Sequence, residues 1–449
     1  MADKLTEGPV LTKITRFAVP ILFGQILQQL YNIVDSIIVG RFVGVGGLAA
    51  VGATWSLTYI VCFFCIGTCN GIGIPIAQEY GADNLSGMRR FFMNGIYFSI
   101  ALAVIVTAIT SVLSRNFLIW LQTPENILAD AHAYLLIIFL GIPFTVLYNF
   151  CFGVLMALGN SSKSSLFMAI STILNLILDW LTVVVFQMGV VGAALATIIS
   201  QAAAGLCSLF FILKKYKFLY PQSSERACDM KYIKRIITMS VPMGLQYSVT
   251  AVGAIVLQYS VNKLGDTAIA AFSAGSKVKS LLLCPLNALG TALSTYVGQN
   301  FGARKMERIK KGIRDVVLLG IGYSLVIIGL IWLTGDRIAG IFVSADKVQV
   351  IEYVKQFILY ISVFQIELAI LFTARYSVQG MGYGKYSIAS GIAEMLGRVV
   401  SALVLVPIWG FEAVCWSEGL TFFAGIVVIV PVCLVLLRRH DNSSDLYKQ

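Results

Sequence analysis

The feature that most constrains this chain is a succession of twelve long apolar runs, at 14–41, 48–80, 88–114, 127–159, 164–187, 190–213, 232–263, 268–301, 309–334, 348–380, 385–407 and 410–438. About 20 apolar residues cross a bilayer as a helix, and each run reaches that length. Lipid offers no partner to a backbone N–H or C=O, so a spanning segment must be an α-helix or a strand of a closed barrel. The alternating pattern of a barrel strand does not occur in this sequence. Charged residues make up 12% of the chain, against about 25% in soluble domains, and mean hydropathy is +0.84. Too little polar surface remains to cover a water-facing globule. The expected fold class is an all-α polytopic membrane protein with twelve transmembrane helices, the longer ones tilted or projecting beyond the lipid.

The net charge of +11 would suggest nucleic acid in a soluble protein. Here the bases concentrate in loops of one side. With the N-terminus inside, twenty-three lysines and arginines fall in inner segments, and only Arg41, Arg115, Lys263, Arg337 and Lys347 fall outside. The positive-inside rule then places both termini in the cytoplasm of a multi-pass cell-membrane protein, with no nucleic acid as partner. Lys4, Lys13 and Arg16 precede a first run that is too long for a signal peptide and carries Gln25, Gln28, Gln29, Asn32 and Asp35. Cys62, Cys65 and Cys69 lie in an apolar span without a nearby histidine, which suits packing. Neither His132 nor His440 has neighbours in sequence that suggest chemistry.

The two halves repeat at an offset of about 221 residues. Val19-Pro20 with Gln25 matches Val241-Pro242 with Gln246, and Leu48-Ala49-Ala50 matches Ile269-Ala270-Ala271. Gln78-Glu79-Tyr80-Gly81-Ala82 matches Gln299-Asn300-Phe301-Gly302-Ala303, and Gly159 with Lys163 matches Gly382 with Lys385. Two pseudo-symmetric six-helix lobes are expected, 1–213 and 232–449, joined by a basic cytoplasmic linker at 214–231. Six spans per half give both lobes the same orientation, which makes the repeat parallel, with binding expected between lobes and alternating access as its use. A chain that holds both lobes is expected to work as a monomer. Pro20, about a turn and a half into the first run, either starts that helix or permits a bend in it.

Ionisable residues within spans are costly and are functional candidates by default. The first half holds two acids well inside spans, Asp35 in the first and Asp179 in the fifth, with no base deep in any span. Counting residues from the span ends puts Asp35, Asp179 and Thr197 at one depth, roughly 10 Å below the outer surface. Asn175 shares a helical face with Asp179, four residues away. Two carboxylates, an amide oxygen and a hydroxyl form a set of hard oxygen ligands suited to Na⁺ or a shared proton. The alternative is a pair of buried acids satisfied by hydroxyls and water. The second half has Leu257 and Val400 or Ser401 at the equivalent positions, with no acid. It carries Glu367, Glu394 and Glu418 alongside Lys277, Lys279, Lys355, Arg375 and Arg398. Glu394 and Arg398, four apart, suit an ion pair. This second-lobe polar network could serve a gate or a substrate. Tyr31, Asn32, Tyr148 and Asn149, polar on otherwise apolar spans, are cavity candidates.

The whole chain resembles the multidrug and toxic compound extrusion (MATE) family. The resemblance rests on Pro20, on Tyr31-Asn32-Ile33-Val34-Asp35 followed by Ile38-Val39-Gly40, on Asn175 with Asp179, on Thr197, and on Gln299-Asn300 followed by Gly302-Ala303. It implies Na⁺- or H⁺-driven antiport of lipophilic, often cationic, drugs or toxic metabolites, with no further cofactor. It also implies a cation site at Asp35, Asn175, Asp179 and Thr197 and a bend at Pro20. The chain departs from branches that place acids in the seventh and tenth spans, since the seventh has none and the tenth has Glu367. The rival function is a flippase for lipid-linked oligosaccharide or a related lipid precursor, kept open by Lys277, Lys279 and Arg398. A membrane enzyme is disfavoured, because no H-E-x-x-H, G-x-S-x-G or paired-aspartate motif occurs.

Overall fold

The computed structural model describes residues 4–342 and 348–445; Lys347 and Lys448, both counted for topology above, lie outside them. The described residues are helical, with no strand. The first half runs through α1 (Val10–Ile38), α2 (Gly44–Gly81), α3 (Leu85–Trp120), α4 (Glu125–Leu140), α5 (Ile142–Ala157), α6 (Ser161–Asp179) and α7 (Gly189–Lys215). The second half runs through α8 (Met230–Asn262), α9 (Asp266–Gly302), α10 (Met306–Phe342), α11 (Val348–Gly380), α12 (Gly384–Val400), α13 (Val406–Trp409) and α14 (Phe411–Asp445). Eleven of the described helices are long and apolar enough to span a membrane, or twelve with α4 and α5 counted as one broken span. The twelve-span multi-pass architecture is thus present.

Local chemistry explains the break between α4 and α5, which meet at 44°. Pro143 sits in the first turn of α5 and cannot extend the hydrogen-bond ladder of α4. The joint, Gly141, is held tightly: a β-carbon there would lie 2.0 Å from the Ile198 side chain on α7. Asn84 caps α3 by accepting from the Gly87 N–H at 3.1 Å, and Asn160 caps α6 by accepting from the Lys163 N–H at 3.1 Å. Each side-chain oxygen satisfies a donor that the first helical turn would leave orphaned.

The repeat is visible in the backbone itself. A π-helical turn, Trp180–Val185, follows α6, and another, Ser401–Leu405, follows α12, 221 residues later. Left-handed residues recur at the same offset: Gly44 and Gly265 (φ 86° and 89°), Asp83 and Arg304 (56° and 57°), Gly189 and Gly410 (59° and 62°). Left-handed residues are concentrated at helix ends, where they redirect the chain, so shared positions mean shared loop geometry.

The helices form two compact units. One comprises Val19–Ser248 with the residues up to Leu5, and the other comprises Thr6–Ala18 with Val249 onward. This division differs from a cut at 214–231 by exchanging the leading parts of α1 and α8. The cause in the first unit is close packing of α8 on α2. A β-carbon on Gly71 would lie 2.4 Å from Ser240 Cα, and the Ser248 hydroxyl donates to the Ile60 carbonyl at 2.9 Å. The core of this unit includes an apolar cluster around Leu135, Phe139 and Ile142 and another around Phe92, Phe150 and Leu155. The second unit packs around Phe357, Ile358 and Val414.

The 214–231 connection is tied to α3. Arg89 Nε donates to the Phe218 carbonyl at 2.7 Å, the Tyr97 hydroxyl to the Arg226 carbonyl at 2.8 Å, and the Asp229 N–H to Asn94 Oδ1 at 2.9 Å. Glu225 is buried at its centre. Burial pushes its acidity constant up, but the Gln222 N–H, the Ser86 hydroxyl and the Arg89 guanidinium outweigh burial and hold it below the usual carboxylate range.

Candidate functional site

α1, α6 and α7 each bring polar residues to one place in the first unit. Asp179, the last residue of α6, is fully buried, and Asn175 one turn before it is 5% exposed. Asn175 Nδ2 donates to Asp179 Oδ2 at 3.1 Å. The half-buried Asp35 carboxyl of α1 stands beside the Asp179 carboxyl, close enough for each charge to act on the other. Tyr31, one turn before Asp35, stands beside Asp179 and Thr197 of α7. The Thr197 hydroxyl itself donates to the Ala193 carbonyl at 3.0 Å, so its lone pairs remain available toward Tyr31. Tyr134 of α4 also stands close to both acids.

The electrostatics of this cluster are one-sided. Among the described residues, neither Asp35 nor Asp179 forms an ion pair with a lysine or arginine. Asp179 Oδ1 is buried without a well-formed hydrogen bond from the protein. Two adjacent carboxyl groups cannot both stay ionised in such a place, so the pair must share a proton or face a cation. The donor set fits a small hard cation, with two carboxylates, an amide oxygen free while its nitrogen bonds Asp179, and hydroxyls. Among the described residues there is no group of three or more His, Cys, Asp and Glu side chains that could hold a metal ion.

Helix irregularity frames the same cluster. A π-turn, Val39–Val43, begins four residues after Asp35, and the other begins directly after Asp179. Phe42 of the first meets Trp180 of the second edge to face, with ring centroids 5.9 Å apart. π-turns inside helices occur frequently at functional sites. In the second half the equivalent turn follows Val400, an apolar residue. The scaffold is duplicated and the acid is not.

The sequence-based cavity residues separate. Tyr31 joins the acids, while Asn32 is exposed. Asn149 is buried, and its Nδ2 donates to the Thr145 carbonyl at 2.8 Å. Tyr148 packs its backbone against α7 at Gly205. Pro20 lies ten residues inside α1, which runs unbroken through it, so the helix-start reading of this proline is excluded.

The second unit corrects one pairing. Glu394 does not bond Arg398 but pairs with Arg375 of α11, and it accepts from the Ser390 hydroxyl at 3.1 Å. Arg398 Nη2 instead reaches Glu418 Oε2 of α14 at 3.2 Å, and Lys279 Nζ of α9 reaches Glu418 Oε1 at 2.6 Å. Spacing along one helix gave the i,i+4 option, but partners on neighbouring helices satisfied both groups first. Glu367 stands apart, with Oε2 buried and unpartnered, and Lys277 is exposed. Arg375, Lys279 and Tyr134 acquire their partners only through tertiary packing, and no spacing in the sequence could have announced them.

With this geometry in view, comparison with known proteins places the chain. The MatE family model matches residues 20–181 and 242–404, once in each half. The chain is 31% identical over 446 residues to "Probable multidrug resistance protein YpnP" of Bacillus subtilis, covering 97% of this chain and 96% of that protein. It is 25% identical over 449 residues to "Multidrug export protein MepA" of Staphylococcus aureus, covering 98% and 96%. Among solved structures, a crystal structure of MATE in complex with MaL6 matches with a TM-score of 0.91 at 20% identity, covering 98% of each chain. An outward-facing multidrug resistance MATE transporter of the MOP superfamily also matches with a TM-score of 0.91 at 20% identity, covering 98% of this chain and all of that one. The matched helices, the paired acids and the twofold match of the family model lead to one conclusion: this chain is a member of the MATE family, a membrane transporter and not an enzyme.

Proposed function

We propose that the chain is a secondary antiporter of the cell membrane. It exports small lipophilic, often cationic, organic compounds in exchange for Na⁺ or H⁺ by alternating access, as a single chain with both termini in the cytoplasm. The observation that carries this reading is the carboxyl pair Asp35–Asp179, which has no basic partner among the described residues. Membership of a transporter family whose relatives include proteins named for multidrug resistance and multidrug export supports the substrate class.

Asp35 and Asp179 take up the ion, Asn175 and Thr197 complete its oxygen shell, and Tyr31 holds Thr197 and Asp179 in register. Uptake of a proton or Na⁺ removes uncompensated negative charge from a low-dielectric site. Helix α1 can then repack beyond Pro20, where the missing N–H leaves the Arg16 carbonyl without its helical donor. The ion drives export only because it binds the two states with different affinity. The flippase alternative has no support: the relatives carry multidrug names. The test is ethidium export from proteoliposomes under an imposed Na⁺ gradient or an imposed pH gradient, applied separately. Export driven by neither gradient would overturn the antiport reading.

A further inference from the structure

We propose that Lys279 and Arg398 of the second unit form a recognition site for an anionic group, a carboxylate, on the exported molecule. This deepens the export reading above and rests on it for the identity of the ligand as cargo.

The argument is one of charge and hydrogen-bond accounting. Lys279 lies in the interior of α9, Arg398 in α12 and Glu418 in α14, so all three sit inside spans, where topology signals do not explain a base. Glu418 is 2% exposed and its two oxygens are both taken, Oε1 by Lys279 and Oε2 by Arg398. The adjoining pair, Arg375 with Glu394, is balanced. Glu412 accepts from the Tyr360 hydroxyl at 3.3 Å, and Lys355 pairs with Asp336, so neither acid serves the cluster. Glu367 forms no ion pair among the described residues. Five interior groups, Lys279, Arg375, Arg398, Glu394 and Glu418, therefore leave one positive charge in excess.

Either base alone would neutralise Glu418. A structural ion pair needs one base, and burying a second uncompensated one is costly. The unused bonding capacity is specific. Arg398 Nη1 has only a long 3.4 Å contact to the Thr250 carbonyl, and its Nε–H is buried with no acceptor. Lys279 Nζ carries three N–H groups and meets one carboxylate oxygen, Glu418 Oε1, among the described residues. An arginine N–H beside an ammonium matches a carboxylate, which accepts one charge-assisted bond from each base. The site so read accepts amphipathic molecules that carry a carboxylate, including zwitterions whose other end is cationic.

The test compares one dye with and without the carboxylate: rhodamine B and its ethyl ester, binding to the purified full chain in lipid nanodiscs, read by fluorescence anisotropy. Lys279→Gln and Arg398→Gln each leave Glu418 with one base, so both variants should stay folded with unchanged thermal midpoints. Each should weaken binding of the acid about tenfold and leave binding of the ester unchanged. Equal loss for acid and ester, or no loss for the acid, would overturn the proposal. So would unfolding of both variants, because the second base would then be structural. Ethidium export by wild type is measured in parallel: its absence with an intact acid–ester difference would sink the export reading and leave the anion site standing.

Discussion

The Asp179 carboxyl lies fully buried beside the half-buried Asp35 carboxyl, with no base among the described residues to neutralise either. A fold that only needed helices α1 and α6 to pack would replace both with apolar residues at a gain. Asp35→Asn and Asp179→Asn are therefore expected to abolish gradient-driven ethidium export while the protein still inserts. Loss of a buried, uncompensated charge should leave the thermal midpoint of Asp179→Asn equal to or above wild type. Wild-type export by either variant would refute the assignment.

Tyr31→Phe deletes a hydroxyl that reaches Thr197 and Asp179 without removing a charge or much volume. A single hydrogen bond of this kind is worth about 0.5–1.5 kcal/mol. Export driven by the coupling ion should fall roughly two- to tenfold, with the concentration of ion for half-maximal rate raised by the same factor. An unchanged ion dependence would mean that Tyr31 does not hold Thr197 and Asp179 in register.

Much of this site was legible in the chain because helical depth is arithmetic. Counting residues along spans put Asp35, Asp179 and Thr197 at one level, and the 3.6-residue period put Asn175 on the face of Asp179. The spans themselves follow from hydropathy, since lipid leaves the backbone few choices. Lateral neighbours are not arithmetic. Which helix faces Arg398 depends on rotation about every helix axis, so Glu418 replaced Glu394 as its partner. The π-turns after Asp179 and Val400 left no mark in composition either.

Glu225 anchors the 214–231 connection, and its lowered acidity constant fixes a pH dependence. A carboxylate held below its unfolded value contributes stability that is fully present above about pH 4.3 and is lost as pH falls through the lower folded value. Amide exchange across 217–229 should therefore stay slow in wild type until pH drops below the ordinary carboxylate range. Glu225→Gln should exchange faster at neutral pH and lose most of that acid dependence. Equal exchange of variant and wild type at pH 7 would remove Glu225 as the anchor.

Arg375 and Glu394 form a buried ion pair, with side chains 6% and 7% exposed. Removing one partner strands the other charge, which typically costs about 3–5 kcal/mol, whereas replacing both with apolar residues is often neutral. Arg375→Met and Glu394→Met should each lower the unfolding midpoint sharply, and the double variant should recover most of the loss. Additive losses in the double variant would show that the two groups do not act as a pair.

Gly67 of α2 stands where α8 crosses it, and a β-carbon there would lie 2.5 Å from the Tyr247 ring and 2.9 Å from Gly244 Cα. The Tyr247 ring can turn, but the Gly244 backbone cannot yield without moving α8. Gly67→Ala should therefore cost about 1–3 kcal/mol through overpacking, more than helix propensity returns. Gly52→Ala on the same helix meets nothing within 4 Å and should be neutral or slightly stabilising. Because α8 as far as Ser248 belongs to the first unit, the Gly67 variant should loosen that leading part of α8. Faster cysteine labelling at an engineered Ser240→Cys in the Gly67→Ala background, and not in the Gly52→Ala background, is the expected result. Equal labelling in both would mean that the close approach at Gly67 does not hold α8 in place.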